Sequence, residues 1–85
     1  MNVSQIRAVA LNKLAATPAS TQSTTAYVDF IVKANEFDAV KNKALAAAAV
    51  NSKSTKEYLA IVEKAEQAQL EGYLELCKEY NLEIN

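Results

Sequence analysis

Residues 54–80, STKEYLAIVEKAEQAQLEGYLELCKEY, decide the fold. Ser54, Thr55, Lys56 and Glu57 form a capping box, in which the serine hydroxyl takes the N3 amide and the glutamate reaches back to the N-cap amide. Apolar side chains then recur in steps of three and four at Tyr58, Ile61, Val62, Ala65, Tyr73, Leu76 and Tyr80, with Gln69 the one polar interruption. A second, adjacent line runs through Leu59, Val62, Leu70, Tyr73, Leu74 and Cys77. A single partner helix needs only a narrow seam, so two neighbouring lines predict a helix over 54–80 that contacts at least two neighbours, in its own chain or another. Gly72 sits inside this helix, where it weakens the helix by about 1 kcal/mol relative to alanine, and so predicts a close approach by another backbone. Asn81 suits a left-handed C-cap, with Leu82 folding back and a short tail over 81–85.

Working outward, Asn51, Ser52 and Lys53 leave room only for a short connection, so the preceding helical run must pair antiparallel with the helix over 54–80. That run, 25–50, places Tyr27, Phe30, Ile31, Ala34, Phe37, Ala44, Leu45 and Ala48 at helical spacing, as one helix or as two pieces bent near Asn35. Ala46 to Ala49 offer a core no bulk; they permit close helix approach, or a flat face for self-association. Residues 17–25, with six Ser or Thr, read as a connection, although Thr17 and Pro18 also fit an N-cap and N1 pair that would start the second helix early. Over 3–16, with Ser4 as cap, Ile6, Val9, Ala10, Leu11 and Leu14 fall on one face and Gln5, Arg7, Asn12 and Lys13 mostly outside it. A helix this short is marginal alone and must dock on something. The expected fold is all-α: a short N-terminal helix plus a long antiparallel hairpin in one small domain, completed by oligomerisation.

Composition supports that class and limits function. One Gly and one Pro in 85 residues favour an all-α reading, since tight turns and sandwiches use far more of both. The hydrophobic share is 51%, but sixteen residues are alanine, so the core is lean and gains from association. The net charge of -1 is uneven: residues 1–16 carry Arg7 and Lys13, whereas 53–85 hold seven glutamates against four lysines. No basic patch interleaved with aromatics exists, which argues against direct nucleic-acid binding. Cys77, the one cysteine, allows no intrachain disulfide and lies on the apolar line as a small buried hydrophobe. No signal-peptide pattern opens the chain and no run of about 18 apolar residues occurs, so a cytoplasmic protein, of the producing cell or of a host, with no membrane role is expected.

Chemistry is sparse. With no histidine, the commonest general base, metal ligand and triad member is missing, and one glycine cannot build a phosphate loop. Glu71, Glu75 and Glu79 form a stripe along one helix edge, where converging ligands would be needed to hold a metal. No enzyme, cofactor, metal or small-molecule substrate is therefore expected. Two functional readings follow. One is a structural or assembly module, a homo-oligomer or part of a larger protein complex, that uses Tyr58, Leu59, Val62, Leu70, Tyr73, Leu74, Cys77 and Tyr80 together with the Glu71, Glu75 and Glu79 edge as partner-binding residues. The other is a small acidic inhibitor or regulator, in the style of bacterial and phage accessory proteins, that binds an enzyme or nucleic-acid machine through the same glutamates.

Overall fold

The computed structural model describes residues 1–16 and 21–84, with side chains at 21–23 outside the description. Three helices account for nearly all of it: α1 (Val3–Ala16), α2 (Thr21–Asn51) and α3 (Thr55–Glu79). The described residues contain no strand, so the fold is all-α as the hydrophobic periodicity predicts. The molecule is elongated, 52 × 23 × 16 Å along its principal axes.

Several local expectations are met and several are corrected. Helix α1 is capped by Asn2, with Ser4 inside the first turn: Asn2 Oδ1 accepts the Gln5 amide and Gln5 Oε1 accepts the Asn2 amide, both at 2.9 Å. Asn and Gln thus supply the reciprocal cap that Ser and Glu would otherwise make. Helix α2 is described from Thr21, four residues before the predicted start at 25. The part of the predicted 17–25 connection that precedes it, residues 17–20, lies outside the described residues. α2 then runs unbroken through Asn35. At α3, Ser54 Oγ accepts the Glu57 amide at 3.1 Å, but the Glu57 carboxylate reaches the amide of Lys53 at 3.2 Å, one residue beyond the predicted target.

The C-terminus of α3 closes in a Schellman motif. Asn81 takes a left-handed φ of 56°, the Leu82 amide bonds the Cys77 carbonyl at 2.8 Å and the Asn81 amide bonds the Lys78 carbonyl at 3.0 Å. Leu82 and Ile84 then fold onto the core.

That core lies at one end of the hairpin. Ile6, Ala10 and Leu14 of α1 pack with Phe30 and Ala34 of α2 and with Tyr73, Leu76 and Cys77 of α3. Phe30, Ala34 and Tyr73 are fully buried, and Phe30 meets the Tyr80 ring edge-on at 6.1 Å between centroids. The wide face of α3 is therefore covered from two sides within the chain, over its C-terminal half. Gly72 lies in this region, and its neighbour is a ring rather than a backbone: a Cβ there would stand 2.6 Å from Phe37.

The rest of the hairpin lacks a third helix. Fourteen residues make α1 about 21 Å long, against about 46 Å for α2. Its N-terminal Val3 and Ser4 share a recess with Lys41, Asn42 and Gln69, so α1 runs antiparallel to α2 and stops there. Beyond that point Ala48 is the one buried hydrophobic residue among those described. The alanine run thus offers α3 a single buried contact, while Ala46, Ala47 and Ala49 face outward. No described helix is long and apolar enough to cross a membrane.

Candidate functional site

Two features stand out, a polar cluster where the three helices meet and an apolar cleft beyond it. In the cluster, Asp38 of α2 accepts at Oδ1 from the Tyr73 hydroxyl (2.8 Å) and from Gln69 Nε2 (2.7 Å), both on α3. Its Oδ2 accepts from Arg7 Nη1 of α1 at 3.3 Å, and the same nitrogen reaches Asn35 Oδ1 at 3.1 Å and the Tyr73 oxygen at 3.3 Å. Gln69, which breaks the apolar line in the sequence, is buried because it completes this network. Burial pushes the Tyr73 hydroxyl above its ordinary pKa of 10.0; the Arg7 contact opposes that shift and the Asp38 bond adds to it. The network ties α1, α2 and α3 together at this level, and the Arg7 and Asp38 side chains are about one-third exposed beside a recess that Gln69 and Tyr73 also line.

The cleft lies between the uncovered parts of α2 and α3. It has a volume of about 600 Å³ and is lined by the apolar Phe37, Val40, Ala44, Ile61, Ala65 and Ala68 together with Lys41, Lys64 and Gln69. Two of its lining residues are large apolar side chains that stand in water, Val40 at 69% and Ile61 at 37% exposure, and Val50 and Leu59 are exposed elsewhere on the same half of the hairpin. The gap follows directly from composition, since alanines on both helices leave room between them that no larger residue fills. Charge divides across the same region. Residues 39–51 of α2 carry Lys41 and Lys43 with no acidic residue, whereas 55–71 of α3 carry Glu57, Glu63, Glu66 and Glu71 against Lys56 and Lys64.

The residues that the sequence suggested for partner binding separate into groups. Tyr73 and Cys77 are buried in the chain's own core, and burial also pushes the Cys77 thiol above its ordinary pKa of 9.0. Leu70 and Tyr80 pack against that core. Tyr58 and Val62 are half-buried, while Leu59 and Leu74 are exposed. Glu71 and Glu75 are exposed, and Glu79 is bonded to Lys33 at 2.8 Å on the surface. The acidic stripe is thus partly tied to α2. Val40, Ile61 and Val50 were absent from the sequence-derived site: Val40 and Val50 lie on α2, and Ile61, although on the apolar line of α3, is exposed only because α1 ends before it. No group of three or more carboxylate or cysteine side chains is placed to hold a metal ion among the described residues. No protein-family model, characterised relative or solved structure matches the chain.

Proposed function

We propose that this chain is a non-enzymatic assembly module whose uncovered hairpin end, residues 39–68, docks against another protein helix in the cytoplasm of the producing cell or its host. The observation that carries the reading is the cleft: six apolar side chains line about 600 Å³, two of them, Val40 and Ile61, large and exposed to water. A contiguous apolar surface rimmed by charge is the usual mark of a protein contact. The opposite end of the molecule holds the three-helix core, which suits a base that presents a docking arm. A photoactivatable cross-linker at Val40 or Ile61, in cells that naturally make the protein, tests the reading. Discrete cross-linked species from these positions, and none from Asp29 on the exposed surface near the core, are expected. Failure of both cleft positions to cross-link would overturn it.

A further inference from the structure

We draw no further inference here: the strongest candidate, the apolar cleft between α2 and α3 beyond the end of α1, belongs to the docking surface already described, and nothing in the structure shows what covers it.

Discussion

Tyr73 and Asp38, thirty-five residues apart, are joined by a 2.8 Å hydrogen bond that Arg7 of the first helix also reaches. The tyrosine ring is wholly buried and its hydroxyl also lies 3.4 Å from the Ala34 carbonyl and accepts from Arg7. Tyr73→Phe keeps the ring and removes the hydroxyl, leaving Asp38 with Gln69 and Arg7. A loss of about 1–2 kcal/mol is expected, which for a domain this small lowers the melting temperature by roughly 5–15 °C. Thermal unfolding followed by circular dichroism measures it, and a shift below about 2 °C would show that the hydroxyl is idle.

Raising the pH should destabilise the fold. Tyr73 and Cys77 both have folded pKa values above their ordinary 10.0 and 9.0, chiefly because burial disfavours their anions. A group whose folded pKa is raised binds its proton more tightly in the native state, so its contribution is fully present below the unfolded pKa and is lost as pH rises through the folded one. The melting temperature should therefore hold near neutrality and fall progressively above about pH 9, through the Cys77 range first and the Tyr73 range next. In Tyr73→Phe the second part of the fall should be missing, which a pH series on both proteins would reveal.

Gly72 should reverse sign with its neighbour. A Cβ at this position meets the Phe37 ring at 2.6 Å, and that ring is held beside Tyr73 at 6.3 Å between centroids. Gly72→Ala gains about 1 kcal/mol of helix propensity but incurs about 1–3 kcal/mol of overpacking, so a net loss is expected. With Phe37→Ala in the background the obstacle is gone, and the same substitution should become stabilising by about 1 kcal/mol. Denaturant unfolding of the four proteins in this cycle gives the coupling directly; additivity would mean that the ring yields freely.

Amide exchange should follow the position of α1. Residues 27–38 and 69–80 surround the core, while 43–51 and 55–66 are held by a two-helix contact with Ala48 alone buried. The first group should exchange only through global unfolding and the second through cheaper local opening, with protection at least about tenfold lower. Uniform protection along the hairpin would contradict this gradient.

The helices themselves were legible because each rests on local signals: the Ser54 cap, the three-and-four spacing from Tyr58 to Tyr80, the Asn81 stop. Even the need of α3 for two neighbours could be read from its doubled apolar line. What could not be read were features set by residues far apart in sequence. Gln69 is a flaw in an apolar line until Asp38, on another helix, is known to face it. Arg7 reads as a solvent-side residue, yet its guanidinium spans to α2 and α3 and ties α1 to both. The cleft is invisible for the same reason, since only the antiparallel course of α1 decides which half of the hairpin goes without cover.

The half-length of α1 also bears on how this sequence is free to change. Selection for folding acts strongly on Ile6, Phe30, Tyr73 and their neighbours, and asks little of the hairpin's far end beyond remaining helical. Drift there would be nearly silent for a solitary molecule. Any constraint found on Val40 or Ile61 across descendants of this sequence would therefore bear on the docking proposed for this end, apart from the background that stability imposes on the rest of the chain.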